Sequence, residues 1–237
     1  MSDDKGTWIE TFTGKRVHLL APSVDEICIE DIAHALANTC RFNGHCSQFY
    51  SVAQHSVAVC DYVLRDTNCR TAARQALMHD AVEAYIGDMV RPLKWCTELG
   101  EKFKDVSNRI SVVIAERFEF GWPLPDIVRI ADDVLLITEA RDLLHGFDHW
   151  DLVRKDRPPL EHEILPQPPD EAERNFLDRY QQLFGTEILL AAATRSLSAM
   201  QEAAEVLDRA GVEGEARDVR DSIEDLSSAI KTMRGDL

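Results

Sequence analysis

Two histidines and three carboxylates stand out along the first half of the chain: His55, the adjacent pair His79-Asp80, then Glu83 and Asp132. Imidazole nitrogens combined with carboxylate oxygens make a mixed N/O donor set. Such a set suits Mn, Fe, Co, Ni or Zn better than Ca or Mg. An ion so held keeps positions for water and for a phosphoryl oxygen. A carboxylate next to the ligands can orient or deprotonate the attacking water without ligating. Asp133 follows Asp132 directly, and spacing alone does not choose between them.

The elements that must position these groups read as helices. Val52, Ala53, Ser56, Val57, Cys60 and Val63 recur at helical spacing, which places His55 toward the apolar side of its helix. An isolated imidazole there is costly unless paired or ligating. His79-Asp80 falls inside an Ala- and Leu-rich run, Ala72 to Tyr85, expected to be one helix. Neighbours on a helix diverge by about 100°, so the two side chains reach one ion only between their directions, with Glu83 one turn on. Asp132 and Asp133 interrupt an otherwise apolar helix that starts at Pro125-Asp126 and runs to about Leu144.

Around these lie a short hairpin from Trp8 to Leu20, turning at Thr13-Gly14, and a helix over Ile32 to Ala37. A loop spans Gly87 to Pro92, and a helix runs from Phe103 to Phe118. A Pro-rich connection covers Gly146 to Pro169, followed by a helix from Asp170 to Phe184 that Gly185 ends. Two more helical stretches, Thr186 to Ala210 and Glu215 to Met233, have apolar stripes that predict a helical hairpin. Strand signals are nearly absent after the first hairpin, so the class is all-α. The expected division is a core over 1–185 and a helical appendage over 186–237.

The chain has 237 residues, 26 basic and 42 acidic, for a formal charge of −16. That balance argues against a polymeric nucleic-acid partner, which wants a basic face. A small phosphorylated molecule needs only a local positive site, and a metal ion supplies one. No stretch approaches the length of a membrane span, and the start Met1-Ser2-Asp3-Asp4 lacks a signal-peptide core. The six cysteines form no C-x-x-C pair. They read as small buried thiols in a reducing, cytoplasmic setting.

The order His55 … His79-Asp80 … Asp132 resembles the H…HD…D signature of HD-domain metal-dependent phosphohydrolases. The nearer likeness is to the bacterial and phage 5′-deoxynucleotidase branch. That branch carries an Arg-aromatic pair before the first His and E-[AH]-x-x-G-D-x-x-x-P-x-K after the HD. Here these are Arg41-Phe42 and Glu83-Ala84-Tyr85-Ile86-Gly87-Asp88-Met89-Val90-Arg91-Pro92-Leu93-Lys94. The resemblance covers roughly Trp8 to Phe184.

It implies an HD-domain helical bundle with His55, His79, Asp80 and Asp132 on a divalent transition metal. Asp132 is preferred to Asp133 because the family's last ligand follows an Ala, here Ala131. It implies Glu83 as the catalytic carboxylate, Arg41 and Lys94 as phosphate contacts, and Asp88 as a sugar contact. Phe42 stands where the family often has Trp. Phe42, Tyr50 and Trp95 read first as core residues and second as walls for a base. His45 is a further polar candidate, His34 a structural residue, and Glu139, Arg141 and Asp142 a supporting network.

The implied substrate is a deoxynucleotide, first a deoxynucleoside 5′-monophosphate, second a dNTP that loses triphosphate. A non-catalytic nucleotide-sensing module is the reading from another class, and the intact Glu83 argues against it. Alarmone hydrolases carry H-D-x-x-E-D, whereas Ala84 follows Glu83 here. Di-iron oxygenases need further His ligands, and no His lies between His79 and His145. The C-terminal stripes point to docking on the core or to self-association into a homo-oligomer, a dimer or larger.

Overall fold

A computed structural model describes residues 6–147 and 158–235. It is built almost wholly of helices, in agreement with the expected all-α class. Two compact units are present, Met1–Tyr180 and Gln181–Leu237.

The first unit opens on a two-stranded antiparallel hairpin, β1 (Ile9–Glu10) and β2 (Arg16–Val17), in the register Ile9 to Val17. Its turn is tied to helix α1 (Ile29–Asn38) by one side chain. Asp31, buried, accepts from Thr11 Oγ1 at 2.8 Å, Thr13 N at 2.7 Å, Thr13 Oγ1 at 3.0 Å and Cys28 Sγ at 2.9 Å. Burial alone would raise this carboxyl. The Cys28 and threonine donors outweigh it and hold Asp31 below the ordinary carboxylate range. A lowered folded pKa stabilises above the unfolded value and is lost as pH falls through the folded one. Asp31→Asn should therefore lower stability by about 1–2 kcal/mol at neutral pH, and the gap to wild type should narrow as an acid pH below the ordinary carboxylate range is reached. Thermal melts of both proteins at the two pH values check this, and a gap that does not change with pH refutes it.

Helix α2 (Val52–Thr67) starts at Ser51, whose hydroxyl accepts from Gln54 N at 3.1 Å. Its Val52, Ala53, Val59, Cys60 and Val63 are core residues. The helix lies along α3 (Arg70–Leu77) and α7 (Asp126–Leu143), while α1 lies along α2 and along α4 (Glu83–Ile86).

The expected single helix over Ala72 to Tyr85 is not formed. It stops at Leu77, and His79-Asp80 sits in a turn before α4 begins at Glu83. The backbone changes from four-residue to three-residue closure: His79 N bonds Ala76 O, Ala81 N bonds Met78 O and Glu83 N bonds Asp80 O. The His79 ring joins in, its Nδ1 donating to Ala76 O at 2.8 Å.

Three further expectations change. The loop expected to Pro92 gives way to a short helix, α5 (Arg91–Cys96), since Pro is tolerated in a first helical turn. The helix expected from Phe103 begins earlier, as α6 (Glu98–Arg117), capped by Thr97, whose hydroxyl accepts from Gly100 N at 3.2 Å. Gly185 does not end a helix. α8 runs from Pro169 to Ala210 through it, because one glycine disfavours a helix by only about 1 kcal/mol.

In the second unit, α9 (Glu213–Gly235) follows a turn at Gly211, and the Arg220 guanidinium binds Asp208. The connection after Gly146 lies partly outside the described residues. All six cysteines are free, but only Cys28 and Cys60 are buried. Cys69 and Cys96 sit on exposed helix ends, so the thiols are not uniformly core residues. Among the described residues no helix is long and apolar enough to cross a membrane.

Candidate metal centre

α2 carries His55 into the core with no exposed surface. α7 meets it with two carboxylates seven residues apart, hence on one face two turns apart. Asp132 Oδ1 lies 3.2 Å from His55 Nε2, and Glu139 Oε1 lies 2.6 Å from His55 Nδ1. The imidazole is held between them by both ring nitrogens. The turn after α3 brings the other donors. His79 Nε2 stands 3.2 Å from His55 Nε2, and Asp80 Oδ2 stands 3.1 Å from His79 Nε2 and 3.7 Å from His55 Nε2. Thus His55, His79 and Asp80 form one group that could hold a metal ion, with Asp132 joined through His55.

The donor chemistry tests whether an ion fits. A carbonyl can only accept, so His79 Nδ1 carries its proton toward Ala76 O. The Arg41 and His55 charges overcome burial and keep Glu139 below the ordinary range, so it too accepts, from His55 Nδ1–H. With the histidines neutral, both Nε2 atoms therefore carry lone pairs, and they face each other at 3.2 Å among carboxylate oxygens. Neighbouring ligands on an ion with bonds of about 2.1 Å are about 3.0–3.4 Å apart. The arrangement calls for a positive charge at its centre.

The charges around the cluster point the same way. Burial and Arg41 pull His55 down, yet Glu139 and Asp132 push it up to about 9. Burial raises Asp132, but His55 and His79 bring it down to about 2. Asp80 is held low against burial by His79, His55 and Arg41. The raised His55 pKa favours a proton where a cation would sit, and binding an ion would release it.

Arg41 enters from the neck of a ten-residue loop closed by its own N–H to Tyr50 O at 2.9 Å. Phe42 and Asn43 that follow take left-handed φ of 52° and 54°. Its guanidinium is buried, with Nε 2.9 Å from Glu139 Oε2 and Nη1 3.7 Å from Asp80 Oδ2. Burial disfavours its charge, and Glu139, Asp132 and Asp80 more than restore it. Arg41 is thus first a counter-ion inside the cluster.

Glu83 begins α4, one tight turn after Asp80, and is buried. Its Oε2 has no hydrogen-bond partner among the described residues. Burial, then the charges of Asp80 and Asp88, raise its pKa well above the ordinary value, with Arg41 and Lys94 opposing. Asp88 itself is exposed, and Lys94 lies on α5 with Nζ 5.9 Å from the Phe103 ring centre.

The three aromatic residues are not gathered. Phe42 is half-buried under the Arg41 guanidinium, at 5.6 Å, and Tyr50 is fully buried. Trp95 is 67% exposed with Lys104 Nζ 3.7 Å over its ring. Trp95 is therefore not a core residue, because α5 presents it to solvent. His45 is exposed and outside the cluster. His34 pairs with Glu173 at 3.0 Å, a structural role. Arg141 and Asp142 bind the backbone of residues 160–164.

One residue was not anticipated. Arg91 places Nη2 3.9 Å from Asp132 Oδ2 and 3.8 Å from Asp133 Oδ1. Its place between Gly87-Asp88 and Lys94 was the available signal. Asp133 turns to Arg91 and Arg129 while Asp132 turns to His55.

No family model matches the chain. It is 34% identical over 148 residues to an uncharacterized protein of Rhodobacter capsulatus, covering 59% of this chain and 74% of that one. It is 36% identical over 178 residues to the uncharacterized protein YfdR of Escherichia coli strain K12, which spans 75% of this chain and 96% of the relative. At that identity and coverage, the chain belongs to the family of YfdR.

Proposed function

We propose that the chain is a metal-dependent phosphohydrolase of the HD-domain type, acting on deoxynucleoside 5′-monophosphates. The observation that carries this reading is the pair of Nε2 atoms converging at 3.2 Å between Asp80 and Asp132. A divalent ion held by His55, His79, Asp80 and Asp132 would acidify a bound water and draw charge from a phosphoryl oxygen. Glu83 is the base: its partnerless Oε2 takes the proton of the attacking water. The water oxygen bonds to phosphorus, the bond from phosphorus to the 5′ oxygen breaks, and the Glu83 carboxyl returns the proton to that oxygen. Glu139 fixes the His55 ring so that Nε2 faces the cluster. Arg41 balances Glu139 and Asp80, and Lys94 adds positive charge near Glu83. A base built into the cluster favours turnover over sensing alone.

The test is phosphate release from dAMP set against triphosphate release from dATP. Each is measured after EDTA treatment and again after Mn²⁺ or Co²⁺ is restored. Phosphate from dAMP that EDTA abolishes and metal restores is expected. Triphosphate from dATP would move the reading to the second substrate. If no metal yields either product, the enzyme reading fails.

A further inference from the structure

The carboxylates at the cluster are Asp80, Glu83, Asp132 and Glu139, set against the buried guanidinium of Arg41. Even a divalent ion leaves that sum negative, so an incoming phosphate dianion needs another cation on the open side. Arg41 is poorly placed to be that cation. Its side chain is 11% exposed and its Nε is committed to a fully buried carboxylate.

Arg91 differs on each count. Its side chain is 56% exposed, and its contacts with Asp132 and Asp133, at 3.9 and 3.8 Å, are too long for hydrogen bonds. Its fork of N–H donors makes no hydrogen bond among the described residues, so it can grip two phosphate oxygens at once. It also approaches Asp132 from the Oδ2 side while His55 holds Oδ1, which leaves the guanidinium beside the cluster without competing for the same oxygen. If the guanidinium swings to an anion, Asp133 keeps Arg129, at 4.0 Å.

We propose that Arg91 is the residue that meets the phosphate of the substrate, and that Arg41 serves the cluster from within. The proposal rests on the phosphohydrolase reading for what the phosphate belongs to, but its test does not depend on turnover. The probe is inorganic phosphate, titrated calorimetrically into Mn²⁺-loaded protein. Arg91→Ala should weaken phosphate binding by about 10–100-fold and flatten its dependence on salt, with the Mn²⁺ stoichiometry and melting temperature of wild type. Arg91→Lys should recover part of the affinity, because it restores charge without the fork. In turnover, the KM for dAMP should rise in Arg91→Ala more than kcat falls. The proposal is overturned if phosphate affinity is unchanged in Arg91→Ala, or if that variant loses Mn²⁺ instead, which would make Arg91 a mere neutraliser of Asp132. It is equally overturned if wild type binds no phosphate with Mn²⁺ present. Arg91-dependent phosphate binding in a protein that leaves dAMP and dATP intact would sink the hydrolase reading and leave this one standing.

Discussion

Glu83→Gln should fold as wild type does and keep its metal, while phosphate release falls by about 10²–10⁴-fold. Gln matches Glu in shape but cannot take a proton from water. The side chain is buried with one oxygen lacking any partner among the described residues, so its carboxylate has no visible structural task that Gln would fail. The pH profile gives a second handle. Burial and the charges of Asp80 and Asp88 raise the Glu83 pKa, so the base form is lost at a higher pH than for an ordinary carboxylate. The acid limb of the wild-type rate should therefore lie above the usual carboxylate range, and should vanish from the residual activity of Glu83→Gln. Metal analysis of the purified variant decides its role: a loss of bound metal would make Glu83 a ligand rather than the base.

Glu139→Ala should be the most destabilising single change at the centre, by about 3–5 kcal/mol. Glu139 is fully buried and binds both Arg41 Nε and His55 Nδ1. Its removal strands the Arg41 charge in the core and frees the His55 ring to turn. Glu139→Gln should cost less stability, because the amide oxygen still accepts one hydrogen bond, yet metal affinity should fall by about 10–100-fold as the aim of Nε2 loosens. Urea unfolding with and without Mn²⁺ separates the two effects. A Glu139→Ala midpoint equal to that of wild type would show that the charges rearrange without it.

How much of this was legible in the sequence depends on where each residue sits. His55 was legible because its neighbours repeat at helical spacing, and such spacing says which side of α2 is buried. Asp132 and Asp133 were legible together as a polar break in an apolar helix, and only the family resemblance preferred Asp132. The turn at His79-Asp80 was not, since Ala, Leu and Met on either side favour helix. Where α3 stops, the His79 ring donates to the Ala76 carbonyl, a bond invisible to propensity. Arg41 carried a motif position but no hint that Glu139, ninety-eight residues on, would draw its Nε inward. Arg91 stood in plain view beside Lys94, yet its tie to Asp132 is a long-range contact that no local pattern encodes. Trp95 misled for the opposite reason. Its size argues for burial, but α5 rests mainly on α6 and leaves the indole outside.

The bond from His79 Nδ1 to Ala76 O lies where α3 ends and leaves Nε2 facing His55. That double role has a cost in mutational freedom. Another donor residue at position 79 would have to bond the Ala76 carbonyl as well as present a lone pair, and no other side chain offers both an N–H for the carbonyl and a second, unprotonated ring nitrogen two bonds away. Asp80 and Asp132 carry no such double duty in the backbone. On the proposed metal reading, substitutions that change metal preference should therefore be tolerated at Asp80 and Asp132 sooner than at His79.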